Sequence, residues 1–183
     1  MNSSLSLPVL KLPRAVEGDP RHSAIEALLQ ADRQPLWEKS TVTIAHIPLG
    51  KGLQSYLKAL FHRKQLERGL ENIDTLLTRE KKGISALHEK LGTPASLRIS
   101  RVLLIAQDGS QRFYRACEKL LLHNSERLII LQINEPSSRL SEIFLGTLEK
   151  PLKALLVSDR DAVSGVLFSL LEDSLKKQEP TQD

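Results

Sequence analysis

A chain of 183 residues with 40% hydrophobic and 26% charged residues has the composition of a folded globular protein, which excludes wholesale disorder and suggests one domain of ordinary size with appendages. Aromatic residues make up only 4%, too few for a platform of stacked bases or sugars, and the single cysteine, Cys117, excludes an intramolecular disulfide and a multi-cysteine metal site. The net charge of +4 is unevenly placed: residues 1–50 and 93–183 each balance, so the whole excess lies between them.

No run of residues reaches the ~18 apolar positions of a membrane span, and the opening MNSSLSLPVLKLPRA has no basic leader before its apolar residues. The expected location is cytoplasmic. Residues 1–22 carry Pro8, Pro13, Gly18 and Pro20, a spacing that predicts an extended arm without a helix, with Leu5, Leu7, Val9, Leu10 and Leu12 available to dock it. Residues 23–50 predict a short helix and an edge strand. In the first, Ile25, Leu28 and Leu29 recur at helical spacing after Ser23 as N-cap; in the second, Thr41, Val42, Thr43 and Ile44 precede Pro48 and Gly50.

Residues 51–92 contain no proline, and their apolar positions follow helical spacing. Leu53, Tyr56, Leu57 and Leu60 form one stripe. A second runs Leu66, Leu70, Ile73, Leu77, Glu80, Ile84, Leu87, Leu91, alternating steps of four and three with Glu80 as its only polar member. Such a heptad seam predicts a long helix, on the order of 60 Å if unbroken, or a helical hairpin folded near Lys82 and Gly83. Gly69 and Gly83 are the weak points, each costing roughly 1 kcal/mol relative to Ala. Lys51, Lys58, Arg63, Lys64 and Arg68 stand against Glu67 alone in the first half, so this part reads as a basic amphipathic segment suited to RNA or another polyanion, or as an ordinary solvated face.

Gly92, Thr93 and Pro94 end the helical segment. Residues 93–178 then alternate: strand at 101–106, helix at 110–123, strand at 127–133, helix at 138–148, strand at 154–158, helix at 162–175. This pattern predicts a small three-layer α/β domain with a mainly parallel sheet of at least three strands. Residues 179–183 read as a polar tail.

In open parallel sheets, ligands bind beyond the carboxyl ends of the strands. The residues to examine there are Asp108, Gly109 and Ser110 after the first strand, and Asp159 and Asp161 after the third. Grouped carboxylates would hold Mg²⁺ and a phosphate. The competing role for the same residues is capping the helices that follow, and for Gly109 a plain turn. Cys117, between Phe113 and Leu121 on an apolar helix face, reads as a small core residue. His22, His46, His62, His88 and His123 show no metal-ligand spacing.

The segment ALLVSDRDAVSG resembles the second motif of TOPRIM domains, a hydrophobic strand followed by Asp-x-Asp, which would imply Mg²⁺-dependent phosphoryl transfer on nucleic acids. The Glu of that family's first motif is replaced here by Gln107 and Asp108. The α/β alternation with Leu145–Gly146 before the last strand is similar to ribosomal proteins that bind kink-turn RNA, but their glycine-asparagine-glutamate signature is absent; Gly69–Asn72 holds those residues scrambled and far from the strand. Neither resemblance covers enough of the chain to assign a family. The sequence therefore predicts a non-catalytic module in which Leu66, Leu70, Ile73, Leu77, Ile84, Leu87 and Leu91 engage a partner chain or a second copy, with weak RNA or polyanion contact and no cofactor. The alternative is a Mg²⁺-dependent phosphoryl-transfer or nucleotide-binding domain.

Overall fold

The computed structural model describes residues 7–94 and 96–178. Over these residues the chain is α/β, with seven helices and a six-stranded mixed sheet. The centre of the sheet is β4 (Arg101–Ala106), β5 (Leu128–Ile133) and β6 (Ala154–Val157), whose sequences RVLLIA, LIILQI and ALLV are almost continuously apolar. A strand of that kind must be covered on both faces. In β4 the side chains alternate accordingly, with Val102, Leu104 and Ala106 in one core cluster and Leu103 and Ile105 in the other. The first cluster takes in α2 (His22–Gln30), α3 (Lys51–His62), α6 (Ser137–Leu145) and α7 (Arg160–Gln178). The second takes in α4 (Leu70–Leu91) and α5 (Gln111–His123).

β4, α5 and β5 form the expected parallel crossover, with Arg101 opposite Leu128 and Ala106 opposite Ile133. The expectation of a mainly parallel sheet fails at the next strand. β6 runs antiparallel to β4, with Val102 opposite Val157 and Ile105 opposite Ala154. The cause is local. α6 has nine residues and ends at Gly146, which takes a left-handed φ of 66°. The chain then doubles back along the helix instead of crossing the sheet. Leu152 N donates to Ser137 O at 3.2 Å and to Ser141 Oγ at 2.7 Å, and Ser141 Oγ donates to Lys150 O at 2.5 Å. β6 therefore starts at the edge where β4 and β5 end.

The sheet is completed by β2 (Thr43–Ile47), parallel to β5, by β1 (Arg33–Pro35), antiparallel to β2, and by β3 (Leu66–Arg68), antiparallel to β6. The order is β1-β2-β5-β4-β6-β3. The strand expected at an edge is thus one place in from it, shielded by the short exposed β1.

Residues 51–91 are neither one helix nor a helical hairpin broken near Gly83. α3 stops at His62, Lys64 takes a φ of 57°, β3 follows, and Gly69 at φ 79° leads into α4. A left-handed non-glycine residue costs roughly 1–2 kcal/mol. That cost is offset by pairing the open edge of β6 and by half-burying Leu66. Gly83 remains within α4.

Two further expectations shift at the N-terminus. A short helix, α1 (Arg14–Glu17), does form within the segment expected to be extended, because Pro13 stands just before its first turn, where a missing N–H costs nothing and the carbonyl accepts from Val16 and Glu17 at 2.9 Å. α2 begins at His22 with Arg21 at the N-cap position, so Ser23 is not a cap. Lys11 pairs with the strand entry, its N–H donating to Leu97 O at 3.0 Å and its carbonyl accepting from Ile99 at 2.9 Å.

α3 is fixed to α7 by a cap supplied from a distance. The buried Asp173 carboxylate accepts from Gly52 N at 3.0 Å and Leu53 N at 2.8 Å, filling two of the unpaired donors at the start of α3. A Cβ at Gly50 would stand 2.2 Å from Asp173 Oδ2, so this close approach requires glycine.

Candidate functional site

The carboxylates singled out in the sequence do not share a site. β6 runs opposite to β4, so Asp159 and Asp161 follow the sheet edge at which β4 begins, while Asp108 follows the edge at which it ends. Asp108 binds the start of α6, accepting from Ser137 N and Ser137 Oγ at 2.8 Å each. Asp159 caps α7 by accepting from Ala162 N at 2.8 Å, and Ser110 caps α5 by accepting from Phe113 N at 3.2 Å. The Gly109 N–H is also used: it donates to the Tyr114 hydroxyl at 2.9 Å, which in turn donates to Ala106 O at 3.0 Å. A side chain at Gly109 would meet Phe113 and Tyr114, so this glycine makes room for the aromatic rings that fill its own turn. Among the described residues there is no group of three or more His, Cys, Asp or Glu that could hold a metal ion.

The basic residues are exposed but dispersed. Lys51 and Lys58 lie on α3, Arg63 and Lys64 in the turn after it, and Arg68 at the end of β3, its guanidinium 5.4 Å over the Phe61 ring. None of the five forms an ion pair among the described residues. Burial raises the pKa of the Tyr56 hydroxyl, the Arg63 charge lowers it, and Asp159 and Asp161 raise it further. The Tyr56 hydroxyl thus lies within reach of one positive and two negative charges.

The apolar seam divides in two. Leu66 belongs to β3, and Leu70 is half-buried at the start of α4. Ile73 and Leu77 are fully buried in the cluster beneath α4 and α5. Ile84, Leu87 and Leu91 are 36%, 52% and 60% exposed. The division falls at Glu80, whose role the sequence indicated only by its being the lone polar member of the stripe. Its carboxylate accepts from Arg101 Nε at 3.1 Å and Arg101 Nη2 at 2.9 Å, and from Arg127 Nη1 at 2.7 Å. Arg127, buried just before β5, also donates to Leu77 O at 3.1 Å. Burial alone would push the Glu80 pKa up, but the hydrogen bonds and charges of Arg101 and Arg127 outweigh it and hold the carboxyl below its ordinary range. Lys81 continues the attachment by donating to His123 O and lying 4.0 Å from Glu126.

Beyond this clamp the helix runs on from Lys82 to Leu91, ten residues or about 15 Å at 1.5 Å per residue, with every residue exposed except half-buried His88. The arrangement presents a helix attached to the domain at Glu80 and Lys81, with an apolar stripe at i, i+3 and i+7 beyond it. Such a stripe suits a hydrophobic groove or a second helix. Cys117, by contrast, is sealed in the core, where burial pushes its thiol up to about 12. No known family model matches this chain, and none of the curated proteins is significantly similar to it.

Proposed function

We propose that the chain is a non-catalytic binding module that engages a partner chain through the outer part of α4. The observation that carries this reading is the contrast within one 22-residue helix: Ile73 and Leu77 are 0% exposed, whereas Ile84, Leu87 and Leu91 continue the same stripe into solvent. The stripe is too regular to be scattered surface leucines. Lys51, Lys58, Lys64 and Arg68 add weak, salt-sensitive contact with a polyanion such as RNA.

A second copy of the chain is the first partner to test. The molar mass in solution is measured over a concentration series for the wild type and for a variant carrying Ile84→Glu, Leu87→Glu and Leu91→Glu. Concentration-dependent association of the wild type that the variant loses, with an unchanged circular-dichroism spectrum, supports the reading. Equal masses for both at all concentrations count against pairing through this stripe.

A further inference from the structure

β2 pairs with β5 only over Ala45–Ile47 against Leu131–Ile133, although β5 begins at Leu128. Before that register the two strands are not paired, and a cleft of about 520 Å³ is lined by residues of both, including Thr43, Ile44 and Leu128. Its wall is mostly apolar, including Leu29, Ile44, Ile129 and Leu131. It touches both core clusters, since Leu29 and Leu131 belong to one and Ile44 to the other. The N-terminal arm closes one side: Leu10 packs on the first cluster and Leu7 on the second, so the arm crosses the end of the sheet here.

One cation stands in this wall. Arg33 donates from Nε to Thr43 Oγ1 at 3.2 Å, from Nη1 to Leu29 O at 3.2 Å, and from Nη2 to Thr43 O. A guanidinium has five N–H groups, so two remain, one on each terminal nitrogen. Among the described residues no carboxylate lies within 4.0 Å of it, and Glu26, the other charged residue of the wall, is not paired with it.

We propose that this cleft binds a linear aliphatic monocarboxylate, its chain between β2 and β5 and its carboxylate on the two remaining N–H groups of Arg33. The volume lies within the few hundred to about 1,000 Å³ usual for small-molecule sites. The free N–H on each terminal nitrogen of the planar guanidinium suits a carboxylate, and each methylene withdrawn from water adds affinity until the cleft is full. This site is independent of the α4 stripe.

The test uses octanoate as the probe and octan-1-ol as its uncharged counterpart, added to the full chain and read by thermal shift and by the methyl resonances of Leu29, Ile44 and Ile129. Octanoate should raise the melting temperature more than octan-1-ol and more than hexanoate, and should move those methyl signals. Arg33→Gln should weaken octanoate about tenfold or more, as expected for loss of a charged hydrogen-bond donor, while Arg33→Lys retains part of the affinity and Glu26→Gln strengthens it by removing a like charge. Absence of both the thermal and the methyl response in the wild type overturns the proposal. So does equal octanoate affinity in wild type and Arg33→Gln. If Arg33→Gln fails to fold through loss of its bonds to Leu29 and Thr43, the wild type decides alone, since equal binding of octanoate and octan-1-ol refutes a role for the guanidinium.

Discussion

Replacing Glu80 by Ala removes the acceptor of three charge-assisted hydrogen bonds and leaves Arg127, with 5% of its side chain exposed, as a buried cation without its counter-ion. Removing one partner of a buried pair costs about 3–5 kcal/mol, and exposed pairs contribute about 0–1. Glu80 and Arg101 keep 21% and 15% of their side-chain exposure, so water screens part of the interaction. The expected loss is therefore about 2–4 kcal/mol, on the order of 10 °C in Tm for a chain of this length. The pH dependence makes the test specific. The Glu80 pKa is lowered from its ordinary 4.5 in the folded state, so its contribution is fully present above that value and is lost as pH falls through the lower folded value. Chemical unfolding of wild type and Glu80→Ala at pH 7 and at successive steps below pH 4.5 should show the gap between them narrowing with acid. A loss under about 0.5 kcal/mol at pH 7, within the range of ordinary surface substitutions, or a gap that stays constant into acid, refutes the assignment of Glu80 as the clamp.

The two parts of the α4 stripe should separate cleanly by stability. Leu77→Ala should cost about 2–5 kcal/mol as a core truncation, and Leu87→Ala, at 52% exposure, about 1 or less in the monomer, both measured by denaturant unfolding. Asp173→Ala should destabilise by about 1–3 kcal/mol, since Gly52 N and Leu53 N lose their acceptor, and amide exchange should rise first in the opening turn of α3. Cys117 should react with a thiol reagent only at the rate of unfolding at neutral pH, because its thiol is buried and its pKa is pushed up to about 12; rapid modification of the native protein contradicts that placement.

Much of the C-terminal half could be read from pattern because its information is local. β4, β5 and β6 are short apolar runs bounded by polar turns, and α5 and α7 carry one-sided stripes that need no knowledge of their partners. The direction of β6 was not legible. It depends on whether α6 crosses the sheet or the chain doubles back along it, and that is decided by Ser141 holding Lys150 and Leu152, contacts between short polar side chains and backbone that leave no periodic signature. The same strand direction decides the site, because Asp108 can converge with Asp159 and Asp161 only if β6 is parallel to β4. In residues 51–91 helical spacing was present but could not reveal β3, since Leu66 and Leu70 are four apart whether or not the chain leaves the helix between them. Gly69 was the one usable sign. The cleft at Arg33 draws its lining from the N-terminal arm, α2, the start of β2, Ile99, the end of α5 and β5, and no single stretch of sequence announces it.

Glu80 also divides one heptad pattern into a buried part and an exposed part. A seam that ran apolar through position 80 would give α4 a continuous sticky edge with no defined point at which the domain ends. A carboxylate there meets the two arginines standing at the beginnings of β4 and β5, so the helix is held where it leaves the sheet. Association through Ile84, Leu87 and Leu91 gains at most about 1.5–3 kcal/mol per fully buried side chain, and these are already partly covered. Against this stands an association cost of about 4 kcal/mol or more, before any ordering of the helix itself. A stripe of three residues can sustain a specific contact only when that ordering has been done beforehand. Under the proposed reading the ion cluster supplies that ordering, which would couple a buried electrostatic feature of the domain to the affinity of an apolar surface more than one helical turn away.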